Sequence, residues 1–347
     1  MSKPRLLDLV LAIEQTEASR NKLRSAMAIL CDNVASYFEG LVKETLDMKP
    51  DDFPNVAPPA PVMWFEFKAT KAPSGPSLNR TLFERVGFAL EGMELDKNNP
   101  PAAVTGWAKS NPARWAHMLE VVASGQARWM VGGKAVIQKD GELISASRLF
   151  FFVASDGSLV PINTTSMNPK RKGQVVSTML VFTAEDNIVQ ECAATLVKYD
   201  PSRKWLESEA REIASYILTD IRRQFNVVLL ALSFMHCKNT VIRDSSPRIN
   251  KPQKKNRHKP PASGVRFKVL EIEPMKEVLR RQGGSEKSGL QQALHICRGH
   301  FKDYREHGLF GRQDMKGTFW FPMHVRGDKK RGAVVKDYSV NQPGVES

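Results

Sequence analysis

Residues 208–237 carry a helical apolar repeat that broadens until it has almost no polar side. Ile213, Ile217, Ile221, Phe225, Val228, Leu229 and Leu232 recur at spacings of three and four, and from Val227 to Met235 only Ser233 is polar. A helix that is apolar nearly all round has to be covered on more than one side. The run falls well short of a membrane span, so the expected cover is protein, with a sheet on one side and another element on the other.

The segments before this helix supply the sheet. From 127 to 185 strand-like runs are separated by turn dipeptides: Asp140-Gly141 lies between AVIQK and ELISASRLFFFV, and Asp156-Gly157 lies between that run and SLVPI. Both dipeptides favour the positive φ of a hairpin turn, and the pattern predicts an antiparallel meander. QVVSTMLVFT at 174–183 reads as its next strand, preceded by the basic loop PKRKG at 169–173. MWFEF at 63–67 alternates as a strand, and a helix is expected over 111–124. At the N-terminus 5–46 reads as one long helix or a helical hairpin, with Leu6, Leu9, Val10, Ile13, Met27, Leu30, Val34, Phe38 and Leu41 along its apolar side, until PNVAPPAP at 54–61 ends it. The expected fold class is α+β: a helical N-terminal segment at 1–50, an α+β core domain at 51–242 with an antiparallel sheet on the long buried helix, a basic linker at 243–263, and a small β-rich C-terminal domain at 264–347.

Charge is distributed unevenly over this plan. The 347 residues carry a net +14, and 243–331 alone holds 22 Lys and Arg against 9 Asp and Glu. Solubility does not require such segregation. A polyanionic partner does, because clustered cations gain affinity by releasing counterions from phosphates. SSPRINKPQKKNRHKPPAS at 245–263 has almost no apolar residue and reads as an arm that orders on contact with a polyanion. At the helix exit His236, Lys238, Asn239 and Arg243 are placed to bind or to cap the helix end. Cys31, Cys192, Cys237 and Cys297 are widely spaced with no CxxC pair, which fits reduced thiols rather than disulfides or a cysteine zinc site. Asp8 and Glu14 interrupt the first apolar run before a signal-peptide core forms. These features lead to the expectation of a cytoplasmic protein with no membrane contact and no cofactor.

The densest chemistry lies at 295–326, HICRGHFKDYREHGLFGRQDMKGTFWFPMHVR, which contains four of the seven histidines. HICRGHFKDY is expected to be extended, GLFG at 308–311 to turn, and KGTFWFPMHV to return, with Pro322 at an edge or bulge. Pairing of the two strands would bring His300, Tyr304, Trp320, His324 and Arg326 to one side of a small sheet. Three chemistries compete. A metal site is disfavoured, because His295 and His300, five apart, fall on opposite faces of a strand, and no metal is expected. A metal-independent ribonuclease would draw base and acid from His295, His300, Tyr304 and His324, with Arg298, Lys316 or Arg326 stabilising the phosphorane. A binding surface would use Arg298, Lys302, Lys316 and Arg326 for phosphate and Trp320 for stacking, helped by Lys238, Arg243, Lys254, Lys255 and Arg257. A structural role, satisfying buried backbone groups under the aromatic core, is the alternative to all three. No helix-turn-helix stands out to support a DNA-binding regulator.

His295, Arg298, Gly299, His300, Tyr304, Gly308, Trp320 and Pro322 form a pattern that resembles the C-terminal signature of a family found on phages and mobile elements. That family includes a type V-A anti-CRISPR protein that suppresses production of its Cas effector. The resemblance implies recognition of a nascent chain, loss of its messenger, and action near ribosomes and RNA. It covers about a tenth of the chain, and the chain departs from it at Cys297, where a second basic residue is expected, and in its long basic linker.

Overall fold

Phe225, in the broad part of the apolar repeat, meets Phe88 at 5.3 Å and Phe151 at 5.5 Å, both edge-on, and so sets the long helix against a sheet. The computed structural model describes residues 5–42, 48–70, 84–110, 112–139, 142–165, 173–182, 207–245, 265–272, 293–297, 300–309, 312–321, 324–326 and 328–333. Its class is α+β. The chain divides into two compact units, one made of Met1–His236 and Ile242–Glu271, the other of Cys237–Val241 and Ile272–Ser347.

The first unit contains helices α1 (Leu6–Ile13), α2 (Glu17–Arg24), α3 (Asp32–Val42), α4 (Ala102–Ser110), α5 (Pro112–Ala123) and α6 (Glu207–Met235). Its strands are β1 (Met27–Leu30), β2 (Val62–Lys68), β3 (Arg85–Glu94), β4 (Trp129–Lys139), β5 (Glu142–Val153), β6 (Leu159–Val160), β7 (Ile162–Thr165), β8 (Val175–Thr178), β9 (Val181–Phe182) and β11 (Phe267–Ile272), and β10 (Thr240–Asp244) enters it from Ile242 onward. The main sheet runs β10-β11-β1-β2-β3-β4-β5-β6, with β9 also on β5, and β7 pairs separately with β8. β2 to β6 form an antiparallel meander, of which β4 to β6 are the part expected from 127 onward, while β3 was not expected. The Asp156-Gly157 turn joins β5 to β6, Gly157 having φ 87°, whereas Asp140-Gly141 and the 169–172 part of the basic loop lie outside the described residues.

Register explains the layering. Phe65 opposes Phe88, and Val131 opposes Phe151, so one face carries a row of aromatics under α6, flanked by α3 through Tyr37 and Phe234 at 6.1 Å. The other face carries Trp64 and Val136 against Leu6, Leu7, Val10 and Leu11 of α1, and farther along it Met130, Phe150 and Phe152 against α4 and α5. Every residue of α6 from Val227 to Leu232 is buried, as the all-round apolar pattern requires.

Three expectations are corrected. The 5–46 stretch is not continuous helix: AMAILC contains β1, which lies between β2 and β11 and is parallel to both. A strand flanked on both sides in a parallel arrangement is apolar throughout, and a four-residue run of that kind is indistinguishable from a turn of buried helix by periodicity. QVVSTMLVFT breaks into β8 and β9, the Thr178 hydroxyl donating to the Leu180 carbonyl at 2.8 Å across the bend, so each half pairs with a different strand. Finally, β1 from the expected helical segment and β11 from the expected C-terminal domain both belong to the first unit's sheet.

Two buried polar groups fix the elements in place. Glu66 of β2 is fully buried and accepts from the Leu6 and Leu7 amides at 3.1 and 3.2 Å, from the Trp64 indole at 3.3 Å and from Arg85 Nε at 3.0 Å. It thereby satisfies the free N–H groups at the start of α1 and places a carboxylate at the positive end of the helix dipole. Gln224 of α6, also fully buried, accepts from the Thr70 amide and hydroxyl and donates to the Thr70 carbonyl, all at 3.0 Å, while Arg223 donates to that carbonyl at 2.7 Å and is held by Asp220. Replacing Glu66 by Ala strands four donors, one of them a guanidinium. The expected loss of unfolding free energy is about 3–5 kcal/mol, read as a lower denaturant midpoint at unchanged slope. Loss of less than 1 kcal/mol would show that α1 is held by its apolar side alone.

Candidate nucleic-acid interface in the second unit

The second unit contains two small sheets. A hairpin pairs β13 (His300–Asp303) with β14 (Thr318–Phe321), antiparallel, with His300 opposite Phe321, Phe301 opposite Trp320, Lys302 opposite Phe319 and Asp303 opposite Thr318. A three-stranded sheet is ordered β15-β12-β16, with β12 (Ala293–Cys297) central, β15 (His324–Arg326) antiparallel to it and β16 (Asp328–Ala333) parallel.

The hairpin closes through a compact turn. The Tyr304 amide donates to the Gly317 carbonyl and the Gly308 amide to the Tyr304 carbonyl, both at 2.9 Å. Gly308 sits at φ 71°, and a β-carbon there would lie 1.8 Å from the Arg312 carbonyl oxygen, so only glycine fits. Leu309, Met315 and Phe319 form the turn's own core, with Tyr304 and Phe321 packed on it. The segment leaving the end of α6 adds to β14: the Lys238 amide donates to the Thr318 carbonyl at 2.9 Å, the Asn239 side chain donates to the Trp320 carbonyl at 2.7 Å, and the Trp320 amide donates back to Asn239 Oδ1 at 2.9 Å. A fully buried carboxamide therefore stands in for one strand residue. Nothing in the sequence marked Asn239 for that role beyond its place at the helix exit. Burial pushes the neighbouring Cys237 thiol up to about 12, so it stays protonated and unreactive.

The hairpin's two faces decide the fate of the expected cluster. Strand alternation puts Tyr304, Lys302 and the His300 position on the face of Phe319 and Phe321, and puts Trp320 with Phe301 on the other. Tyr304 is half-buried, 6.0 Å from Phe319 and 6.4 Å from Phe321, and Lys302 lies over the Phe321 ring at 4.9 Å. Trp320 is only 3% exposed and packs on Phe301 at 4.6 Å. It offers no face to a base, which corrects its expected stacking role. The single convergent face expected for His300, Tyr304, Trp320, His324 and Arg326 does not form, because His324 and Arg326 belong to the other sheet.

Charges on the turn are largely cancelled. Arg305 donates to Asp303 Oδ2 from Nε and Nη2 at 2.8 and 2.6 Å, and Arg312 donates from Nη2 to Asp314 Oδ2 at 2.9 Å. These arginine hydrogen bonds hold both carboxyls below the usual range. Lys238 and Lys316 are exposed. Arg243, on β10, belongs to the first unit, where it is exposed and pairs with Glu271 at 3.0 Å. His236, also in the first unit, bonds to the Ala57 carbonyl through Nε2 at 2.7 Å, a structural contact. Arg298, Lys254, Lys255 and Arg257 lie outside the described residues.

In the three-stranded sheet His295 stands directly opposite Arg326, and Cys297 directly opposite His324. Directly opposed residues share a face, so Ala293, His295, Cys297, His324 and Arg326 occupy one face, and Leu294, Ile296 and Val325 the other. Along β16 the register jumps: Asp328 pairs with Ala293 and Ala333 with Leu294, leaving the basic run 329–332 between two consecutive partners of β12.

No protein-family model, curated protein or solved structure matches this chain. Asn239→Ala removes both bonds to the Trp320 backbone and leaves two buried groups unpaired. The expected cost is about 2–4 kcal/mol, and amide exchange at Trp320 should quicken by two orders of magnitude or more. Unchanged exchange at that amide would mean that the clamp carries no stability.

Proposed function

We propose that this protein is an RNA-associated regulator, encoded by a mobile element and acting in counter-defence, that lowers expression of a target protein. The observation that carries the RNA reading is charge segregation. Residues 243–331 hold 22 Lys and Arg against 9 Asp and Glu, whereas the rest of the chain holds 29 against 28. A cationic third beside a balanced remainder is the electrostatic footprint of a polyanion partner. Exposed Lys238 and Lys316 and half-buried Lys302 give the hairpin cations that no carboxylate cancels at hydrogen-bond distance among the described residues, and these suit phosphate contact. The counter-defence role, with a nascent polypeptide or the ribosome as second partner, rests on the resemblance carried by His295, Arg298, Gly299, His300, Tyr304, Gly308, Trp320 and Pro322. Among the described residues no helix is long and apolar enough to cross a membrane.

Fluorescence anisotropy with a single-stranded RNA should show binding that weakens linearly on a log–log plot against salt. Replacing Lys238, Lys302 and Lys316 by Ala together should reduce that slope by about 2, at roughly 0.7 per lost phosphate contact. Equal affinity at low and high salt would refute a phosphate-based interface. Pull-down from cells should recover one messenger with its nascent chain, and an Arg298→Ala/His300→Ala variant should recover neither.

A further inference from the structure

Two histidines and an arginine from strands 27 or more residues apart in sequence are brought to one face of the three-stranded sheet. His295 is opposite Arg326, and His324 is two residues from Arg326 on the same strand, which makes the two histidines diagonal neighbours. Diagonal positions on an antiparallel pair lie about 7–8 Å apart. Two histidine positions at that backbone spacing span one phosphodiester, as general acid-base cleavage of it requires. The chemistry of the face favours an anion at its β15 side: the only charged member on β12 and β15 is the guanidinium of Arg326, and the one carboxylate position on the face, Asp328 of β16, stands opposite Ala293 at the other edge. Beside it, the register jump in β16 sets Lys329, Lys330 and Arg331 against the edge of β12, a placement suited to neighbouring phosphates. The opposite face is apolar at Leu294, Ile296 and Val325, the alternation of a sheet with one core side. The hairpin lacks this combination. The one histidine on its strands, His300, shares a face with Lys302, Tyr304, Phe319 and Phe321.

We infer that the His295, His324 and Arg326 face is a phosphodiester-cleaving site for single-stranded RNA. This rests on the reading of RNA as the partner. One imidazole takes the proton of a ribose 2′-hydroxyl, whose oxygen attacks the adjacent phosphorus. The bond from phosphorus to the 5′-oxygen breaks, and the second imidazole gives that oxygen its proton. Arg326 stabilises the charge on the non-bridging oxygens. The products are a 2′,3′-cyclic phosphate and a 5′-hydroxyl, so atoms and electrons balance with no water, metal or redox partner consumed.

The test uses the full chain with a 5′-labelled single-stranded RNA and the same sequence as DNA, in EDTA, following binding by anisotropy and cleavage by gel. RNA should be cut to cyclic-phosphate ends, and bound DNA, lacking the 2′-hydroxyl, should stay intact. His295→Ala and His324→Ala should each slow cleavage by about 10²–10⁴-fold with affinity within twofold, and Arg326→Gln should slow it by about 10²-fold. Loss of cleavage in those variants excludes a contaminating nuclease, and His117→Ala, on α5 of the first unit, should cleave at the unaltered rate, which ties the loss to the two strand histidines. Should either alanine variant lose its fold by circular dichroism, His295→Gln and His324→Gln serve in its place. RNA that is bound but intact overturns this inference alone. Cleavage that survives both histidine substitutions, or that stops in EDTA, also overturns it. Absence of RNA binding at low salt overturns the RNA reading and the inference together.

Discussion

A carboxylate with no exposure to water sits near the centre of the first unit, and the arrangement around it follows from the cost of burying it. Desolvating an ionised glutamate costs several kcal/mol unless its oxygens are met by donors. Glu66 is met by four donors, two from the start of α1, one from its own strand and one from β3. Arg85 reaches on toward Asp32 at 3.8 Å, and Asp32, the first residue of α3, accepts from the Lys68 amide at 2.6 Å. The start of α1, two strands and the start of α3 are thus fixed by one charge system. With α1 so placed, its apolar side covers Trp64 and Val136, and that face of the sheet is closed.

The aromatic face is closed by α6, and here too a polar group sets position while apolar burial supplies the driving force. A helix buried all round could slide or rotate with little change in apolar contact. The bonds of Gln224 and Arg223 to Thr70 remove that freedom, because each alternative register would leave a buried amide unpaired. The same helix delivers Cys237–Val241 to the second unit, where Asn239 replaces a strand residue beside Trp320.

What could be read from the sequence is what periodicity and turn chemistry report directly. The meander from β4 to β6, the extent of α6 and the extended character of both C-terminal segments all follow from local pattern. β1 was not legible because four apolar residues fit either period, and its neighbours β2 and β11 are remote along the chain. Trp320 shows the same limit for the site. Its residue type suggested stacking, but whether it faces solvent depends on Asn239, 81 residues away, and on the alternation of a hairpin whose register composition does not specify. The meeting of His295 with Arg326 is likewise a matter of strand pairing.

Crowding along a chain is also a poor guide to convergence in space. His295 and His300 are only five residues apart, yet they belong to different sheets, because the chain leaves β12 at Cys297 and begins β13 at His300. His295 and His324 are 29 residues apart and share a face. The cations divide in the same way. Arg305 and Arg312 lie in the densest part of the motif, but local aspartates hold them, so they add little to the field. The 326–331 stretch, which attracts less notice in the sequence, sets four cations against the single Asp328 in the strands flanking β12. The cations of 326–331 and the paired positions of His295 and His324 therefore fall on the same three strands, although neither local crowding nor residue spacing along the chain marks them as neighbours.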